Sequence, residues 1–315
     1  MCSENQSQLL ETHRPEWNSA IELGFEEKCA IIGADFENVL HDLFPWKNQM
    51  NSEIEFPSFS RSFLIQPDVF LRIRPGEKEE VEHKLNSAKL SFNKLSYSTL
   101  SVPQSAKISD LLNTDSEIVI QDLSSQKVGD SLEEVLVNNG LSVWDCCAAS
   151  GGKALMAYDL NQSIKLTVSD VRESILHNLR SRFYNAGIQN YKAVQADLAK
   201  PSIIPNTPFD VIIADVPCTG SGTWSRTPEQ IIYFEESKIQ EYGRLQKAII
   251  SNVIPHLKPD GVLVYITCSV FKKENEENVD FFKKEYGLEE QKREVLKGYD
   301  QKADSMFVSV FKKSL

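Results

Sequence analysis

Apolar and polar residues alternate in a regular order along the second half of the chain. Five apolar runs have the length and composition of buried strands: residues 141–145, 165–170, 191–197, 209–215 and 261–267. Between them lie segments with the apolar spacing of helices, including 237–256 and 274–286. Repeated strand–helix units of this length predict an α/β fold with a doubly wound, mostly parallel sheet. The alternating residues 305–313 predict a last strand at the edge of that sheet.

A smaller α/β unit precedes these repeats. Residues 67–75 and 96–102 predict strands, and residues 77–88 predict a helix between them. Earlier in the chain, the apolar spacing predicts a short amphipathic helix that ends near Pro45. Its apolar face is formed by Phe36, Val39, Leu40 and Leu43. We therefore expect an amino-terminal part, 1–116, with a helical segment and the small α/β domain, followed by a larger domain, 117–315.

Charge and composition narrow the possible partners. The 315 residues are 41% hydrophobic and carry a net charge of −11, which argues against strong nonspecific binding to nucleic acid. Between Ser60 and Lys107, however, eight basic residues face only five acidic ones. This local excess is compatible with an RNA-binding surface and equally with a plain solvated face.

The sequence favours a cytoplasmic protein with free thiols. Its amino terminus lacks the pattern of a secretory signal, and no apolar run approaches the roughly 20 residues that span a bilayer. None of the cysteines has the CxxC spacing of a zinc ribbon or a thioredoxin-type site; they are Cys2, Cys29, Cys146, Cys147, Cys218 and Cys268. The patterning calls for no partner subunit.

The segment DCCAASGGK, 145–153, forms the turn between the first strand and its helix. In doubly wound folds a nucleotide-like ligand meets the helix amino terminus at this turn. Gly151 and Gly152 allow the backbone to approach a ligand, and free amides there suit a carboxylate. The segment is neither GxGxxG nor a Walker loop, so dinucleotide and phosphate binding are disfavoured. A ligand loop and a simple tight turn both remain open.

Acidic residues end the next two strands. Asp170 has the position from which such folds hydrogen-bond ribose hydroxyls, and Asp197 is suited to an adenine amino group. A lone aspartate after a strand is often a helix cap or a turn residue. Two of them in register with a glycine loop favour an adenosine site.

Two cysteines follow the fourth and fifth strands. If these strands are neighbours, as is usual in this architecture, Cys218 and Cys268 meet in space. A thiolate activated by a helix amino terminus or a nearby positive charge is a strong nucleophile. The pair is also compatible with buried structural thiols or with a redox pair. A four-thiolate metal site with Cys146 and Cys147 lacks the usual paired spacing, so we expect no metal.

Together these motifs closely resemble those of the Sun/Fmu-type RNA cytosine-5 methyltransferases. The resemblance covers about 117–315 and is carried by IQDLSSQ (120–126), DCCAASGGK (145–153), ADVPCTGSGTWSRTPE (214–229) and YITCSVFKKENEENV (265–279). It implies a class I, Rossmann-like methyltransferase domain that uses S-adenosylmethionine, preceded by a small RNA-recognition-like domain. We expect an RNA substrate, with ribosomal RNA ahead of transfer RNA.

The resemblance also implies roles for individual residues. Cys268 is the nucleophile that adds to C6 of cytosine, Cys218 assists release of the methylated RNA, Asp215 orients the base, and Lys153 lies at the same pocket. The implied cofactor pocket contains Cys147, Ala148, Ala149, Ser150, Gly151, Gly152, Lys153, Asp170, Arg172, Asp197 and Asp215. Arg226 is implied to position RNA or the active-site loop.

The chain departs from the family pattern at two positions. Ser150 stands where a proline is usual, and serine lacks the fixed φ of proline. Ile175 stands where a basic residue is common, and Arg172 is a candidate to replace it near the cofactor.

Two other functions remain open at this stage. One is a non-catalytic RNA-binding protein that keeps the fold, and the other is a methyltransferase for another substrate with structural cysteines. The presence of both cysteines and of Asp215 favours the RNA methyltransferase.

Overall fold

The computed structural model describes residues 6–200 and 207–314, so Cys2 lies outside the described residues. The helices in this part of the chain are α1 Gln8–His13, α2 Pro15–Ser19, α3 Phe25–Ile31, α4 Phe36–Leu43, α5 Phe56–Ser62, α6 Lys78–Ser87, α7 Leu123–Val135, α8 Gly152–Leu160, α9 Glu173–Asn185, α10 Gln230–Tyr233, α11 Ser237–Val253 and α12 Glu276–Tyr286. The strands are β1 Val69–Ile73, β2 Asn93–Lys94, β3 Thr99–Val102, β4 Ile118–Ile120, β5 Ser142–Asp145, β6 Lys165–Asp170, β7 Tyr191–Gln195, β8 Phe209–Asp215, β9 Leu257–Thr267, β10 Leu288–Leu296 and β11 Met306–Lys313.

The large sheet has seven strands in the order β10-β11-β9-β8-β5-β6-β7. Strands β5 to β9 are parallel, and β11 runs antiparallel to both β9 and β10. The first strand of this sheet, β5, therefore lies inside it between β8 and β6, and the later strands are added on both sides of β5. This confirms the predicted doubly wound, mostly parallel sheet.

Successive residues of the central strands enter two separate cores, one on each face of the sheet. On one face, Ile212 of β8 packs in a cluster with residues of α11 and α12, such as Ile250 and Phe282. On the other face, the adjacent Ile213 packs in a cluster with residues of α7, α8 and α9, such as Leu179. Because both faces are covered, these strands are apolar at nearly every position.

The prediction that residues 305–313 form the edge strand is wrong. Strand β11 lies between β9 and β10, and its first six residues are buried. The edge is formed by β10, which the sequence analysis did not predict as a strand. Its sequence LEEQKREVL is mostly charged, because one edge and much of one face are exposed to water.

The small sheet is antiparallel, with the order β2-β3-β1-β4. Its core includes Leu71 and Ile73 of β1 and Val81 and Leu85 of α6. Strand β4 pairs with β1, whereas α7, which follows directly, packs on the large sheet. The division at 116/117 stays a prediction.

Two basic residues of the small sheet face inward. Arg72 and Arg74 both pair with Asp159 at the end of α8, at 2.7 and 2.6 Å, and their side chains are 9% and 11% exposed. They are therefore unavailable to an RNA-binding surface, although the count of basic residues between Ser60 and Lys107 included them. Their function in this structure is to join the small sheet to the large domain.

The amino-terminal helices pack against the loop that follows β8. Phe44, at the end of α4, is fully buried, and its ring centroid lies 6.0 Å from that of Trp224 and 5.7 Å from that of Phe271. Phe59 and Phe63 belong to the same cluster. No helix among the described residues has the length and apolarity needed to cross a membrane.

Candidate active site

The two cysteine-bearing strand ends lie side by side. Strands β8 and β9 pair in parallel up to Asp215 and Ile266, so the loops after them leave the same edge of the sheet. There the Sγ atoms of Cys218 and Cys268, 50 residues apart in the chain, approach to 3.1 Å. Both thiols are reduced and partly buried. The expected proximity of the two cysteines is thus present.

The environment of Cys218 favours its protonated form. The hydrogen bond with Cys268 raises the pKa of Cys218 well above its ordinary value, and burial and the charges of Cys268 and Glu274 raise it further. Cys218 therefore keeps its proton at neutral pH and is able to donate it across the 3.1 Å contact.

A buried carboxylate holds the loops of both cysteines. Glu274 Oε1 accepts hydrogen bonds from the hydroxyls of Thr219 and Ser269, each at 2.6 Å. Its Oε2 accepts from the Thr219 amide and from Gln246 Nε2, each at 2.9 Å. Burial raises the pKa of Glu274, while these hydrogen bonds oppose the rise. Because Thr219 and Ser269 each directly follow a site cysteine, this one carboxylate fixes both thiols.

The backbone around Cys268 is held by a close approach of two loops. Gly222 donates its amide to the Cys268 carbonyl at 2.9 Å and accepts from the Ser305 amide at 2.8 Å. A Cβ at Gly222 would lie 2.0 Å from the Ser305 carbonyl oxygen, so only glycine fits. Asn275 adds a hydrogen bond from its side-chain amide to the Ser269 carbonyl at 2.8 Å.

Lys153 connects the glycine loop to the cysteine edge. From the first turn of α8, its Nζ reaches Asp215 Oδ2 at 2.9 Å and Ser125 Oγ at 2.8 Å. The Lys153 side chain is 7% exposed and that of Asp215 is 29% exposed. The carboxylate therefore faces an accessible space beside the thiols with a buried cation behind it.

The glycine loop has a left-handed backbone at two positions. The φ angles of Ala149 and Gly151 are 46° and 87°. A Cβ at Gly151 would come within 2.8 Å of Phe183, whereas a Cβ at Gly152 would meet no atom within 4 Å. Gly151 is thus required by packing, and Gly152 leaves open space over the first turn of α8. The Ala149 amide donates to Asp170 Oδ2 at 3.1 Å, which joins this loop to the end of β6.

The acidic residues beyond the glycine loop already hold partners. Asp170 Oδ1 accepts from the amide of Arg172 at 2.9 Å and from its Nε at 3.1 Å. Asp197, just past the end of β7, pairs with Lys200 at 2.9 Å, and this contact lowers the pKa of Asp197. Ile175, which stands where the family often has a basic residue, lies in the first turn of α9. Of Ile175 and Arg172, it is Arg172 that has a hydrogen bond to Asp170.

Cys146 and Cys147 lie at the beginning of the segment that contains the glycine loop. Cys146 is buried in the core, and burial raises its pKa well above the ordinary value, while Cys147 is partly exposed. Asp145, fully buried before them, has its pKa raised to about 8 by burial and by the charge of Asp215. No group of three or more histidine, cysteine or acidic side chains within 6–200 and 207–314 is arranged to hold a metal ion.

Arg226 holds the loop that carries Cys218. Its guanidinium pairs with Asp122 at 2.6 Å and with Asp304 at 2.8 Å. Asp122 also caps α7 by accepting from the Ser124 amide at 2.8 Å. Of the two roles implied by the resemblance, these contacts account for that of ordering the loop.

The sequence analysis missed several residues that build this site. Glu274 and Asn275 belong to YITCSVFKKENEENV, and Ser125 belongs to IQDLSSQ, so the motifs contained them without indicating their contacts. Gln246 lies in the middle of α11 and has no local signal. A buried glutamate next to a cysteine loop is recognised only once the two loops are folded together.

A seven-stranded sheet of this order, with a glycine loop after its first strand in the chain, defines the class I, Rossmann-like methyltransferases. The chain belongs to the 16S rRNA methyltransferase RsmB/F family, whose family model matches residues 135–310. The resemblance to Sun/Fmu-type enzymes is thereby confirmed.

The curated relatives are bacterial. The chain is 33% identical over 168 residues to ribosomal RNA small subunit methyltransferase B of Enterobacter sp. (strain 638). The aligned segment covers 53% of this chain and 38% of that protein. It is 30% identical over 165 residues to the protein of the same name from Yersinia pestis bv. Antiqua (strain Angola). That alignment covers 52% of this chain and 38% of the relative. The match thus spans well under half the length of either relative.

Solved structures share the fold over most of the chain. PH0851 superposes with a TM-score of 0.76 at 22% identity, covering 97% of this chain and 75% of that one. A methyltransferase homolog protein from Pyrococcus horikoshii gives 0.70 at 20% identity, covering 91% and 98%. NSun6 from Pyrococcus horikoshii, solved with SFG, gives 0.69 at 16% identity, covering 89% and 98%.

Proposed function

We propose that the chain is an S-adenosylmethionine-dependent RNA cytosine-5 methyltransferase that acts on ribosomal RNA. The observation that carries the proposal is the 3.1 Å contact between Cys218 Sγ and Cys268 Sγ at adjacent strand ends. Membership of the RsmB/F family and relatives named as ribosomal RNA small subunit methyltransferases support the substrate. Because those relatives are bacterial, we infer that the reaction takes place in the cytoplasm.

The glycine loop fits the proposed cofactor. Open space over Gly152 and a start of α8 at which the N-cap makes no side-chain hydrogen bond suit the carboxylate of a methionine moiety. Asp170 suits the ribose once Arg172, whose side chain is 57% exposed, swings off it, and Asp197 suits the adenine side. When bound, S-adenosylmethionine supplies an electrophilic methyl group.

Cys268 and Cys218 have different roles in the covalent steps. C5 of cytosine is a poor nucleophile, and addition of the Cys268 thiolate to C6 makes C5 enamine-like. Cys218, whose Sγ lies 3.1 Å from that of Cys268, is placed to act as its partner in the later step. After C5 has been methylated, release of the product would follow by elimination: the C5 proton passes to water, the C5=C6 double bond re-forms, and the C6–S bond breaks with its electron pair left on Cys268, a step that Cys218 assists.

The remaining site residues orient the base. Asp215 is exposed enough to hydrogen-bond a cytosine, and Lys153 fixes its orientation from behind at 2.9 Å. A base inside a helix cannot reach these groups, so the target cytosine is unpaired or flipped out.

Transfer of a labelled methyl group tests the proposal. We expect the protein, incubated with labelled S-adenosylmethionine and total RNA from a strain that lacks the gene, to produce 5-methylcytosine in ribosomal RNA after digestion. Cys268→Ala should abolish the label, because no thiolate remains to activate C5. Cys29→Ala, a substitution in α3, is the matched control and should retain it. Absence of 5-methylcytosine in every RNA, or full activity of Cys268→Ala, contradicts the proposal.

A further inference from the structure

Arg182 of α9 joins the glycine loop to the small sheet. Its Nη1 donates to the Ser150 carbonyl at 3.1 Å and to the Ser150 hydroxyl at 3.2 Å. Its Nε and Nη2 donate to Asp115 Oδ1 at 2.9 and 2.7 Å. One guanidinium thus bridges a loop proposed to bind cofactor and the turn that precedes β4.

Asp115 is a firm anchor for this bridge. It is 5% exposed and adopts a left-handed backbone with φ 70°. Its amide donates to the Ile118 carbonyl at 2.7 Å, and its own carbonyl accepts from Arg74 at 3.0 Å. Arg74 in turn donates to the Ala186 carbonyl at the end of α9, at 2.7 Å. The small sheet therefore fixes Asp115 from several directions.

The glycine loop needs such support. Ser150 is exposed and lies between Ala149 and Gly151, which are both left-handed, and serine does not itself restrict φ. A loop that is already held in its binding geometry loses less conformational entropy when a ligand binds. Among the side chains described, Arg182 is the one whose hydrogen bonds to Ser150 come from outside the loop.

We propose that Arg182 is a positioning residue through which Asp115 of the small-sheet turn sets the affinity of the glycine loop for cofactor. The inference rests on the proposed S-adenosylmethionine site. Arg182 does not need to touch the cofactor, because it acts through the backbone of Ser150. Its loss should therefore weaken cofactor binding without removing any group that carries the chemistry.

Cofactor binding by the full chain in the absence of RNA tests this role. We expect Arg182→Ala to raise the Kd for S-adenosylmethionine about tenfold in calorimetric titration, the size of a typical coupling between sites. The KM for S-adenosylmethionine should rise by a similar factor, while kcat at saturating cofactor changes less. Arg182→Lys, which retains one charged donor, should recover part of the affinity. Arg180→Ala is the matched control, because Arg180 lies on the same helix and pairs with Glu173 at the surface.

A double-mutant cycle separates this role from a general loss of stability. Asp115→Asn, which tolerates the left-handed backbone, should weaken cofactor binding in the wild-type background but not in Arg182→Ala. It also keeps the inference testable if Arg182→Ala fails to fold.

Three results would overturn the inference: an unchanged Kd in Arg182→Ala, an equal rise in Arg180→Ala, or additive effects of the two substitutions. If the wild-type protein itself does not bind S-adenosylmethionine, the proposed cofactor fails and the inference fails with it. Binding by the wild type together with an unchanged Kd in Arg182→Ala removes the inference alone.

Discussion

At the scale of single residues, Glu274 holds the shape of the cysteine site and its charge adds to the raised pKa of Cys218. Three of its four hydrogen bonds come from the residues that follow Cys218 and Cys268, the fourth comes from Gln246, and its charge helps to hold the proton on Cys218. A buried carboxylate that accepts four hydrogen bonds holds the groups that donate them in fixed positions.

Two substitutions of Glu274 should separate its effect on stability from its effect on the pKa of Cys218. In Glu274→Ala the Thr219 amide and the Gln246 side chain lose their acceptor, so the free energy of unfolding should fall by about 3 kcal/mol in a urea titration. Glu274→Gln keeps the shape and removes the charge, so the pKa of Cys218 should fall. The alkylation rate of Cys218 at pH 8, followed by mass spectrometry, should then rise by up to about tenfold, which corresponds to one pKa unit.

The exposed neighbour Glu277 provides the control for both variants. Glu277→Gln should change neither stability nor alkylation. An alkylation rate of Cys218 that is the same in Glu274→Gln and wild type would show that the charge does not act on this thiol.

Sequence patterns predicted the residues at strand ends better than the residues between them. Cys218, Cys268 and Asp215 follow apolar runs, and the parallel order of strands brings such ends to one edge. The expectation for Lys153 came from the family resemblance, and its side chain contacts Asp215 at 2.9 Å. Glu274 could not, because its contacts depend on how two loops fold back on each other and leave no periodic signal.

At the scale of elements, the amino-terminal helices are part of the support of the active site. Helix α4 was predicted from its apolar spacing, but its packing partner was not. Phe44 lies against Trp224, in the loop after Cys218, and against Phe271, in the loop after Cys268. The aromatic cluster thus packs against both cysteine loops.

Truncating Phe44 should destabilise the whole fold. We expect Phe44→Ala to lower the free energy of unfolding by about 3–5 kcal/mol, because a fully buried ring leaves a cavity. Thermal and urea unfolding of the full chain measure this loss. Leu9→Ala in α1, where the side chain is 70% exposed, is the control and should stay within about 0.5 kcal/mol of wild type. Equal stabilities of the two variants would contradict the packing described.

The strands that were mispredicted lie where polar and apolar patterns are least distinctive. Strand β10 carries charges because it is an edge, and β11 is apolar because it is covered by strands on both sides and by helices on both faces. An apolar strand at the end of a chain does not reveal which neighbour lies outside it. The order of the last two strands is therefore a tertiary property.

At the scale of the whole molecule, charged side chains join the small sheet to the part of the chain that forms the large sheet. Arg72 and Arg74 reach Asp159, and Arg182 reaches Asp115. The sequence showed an excess of basic residues in this region but not which way they point. The sequence analysis left an RNA-binding surface and a solvated face open, and the inward orientation of Arg72 and Arg74 makes these two residues an internal connection instead.

The whole account depends on Cys268 attacking the base while Cys218 permits its release. Cys218→Ala, incubated with S-adenosylmethionine and RNA from a strain that lacks the gene, measures this most directly. A denaturing gel should show a covalent protein–RNA band that ribonuclease removes, and the double variant Cys218→Ala/Cys268→Ala should show none. An adduct in the double variant, or no adduct in Cys218→Ala, would contradict the assignment of the two thiols.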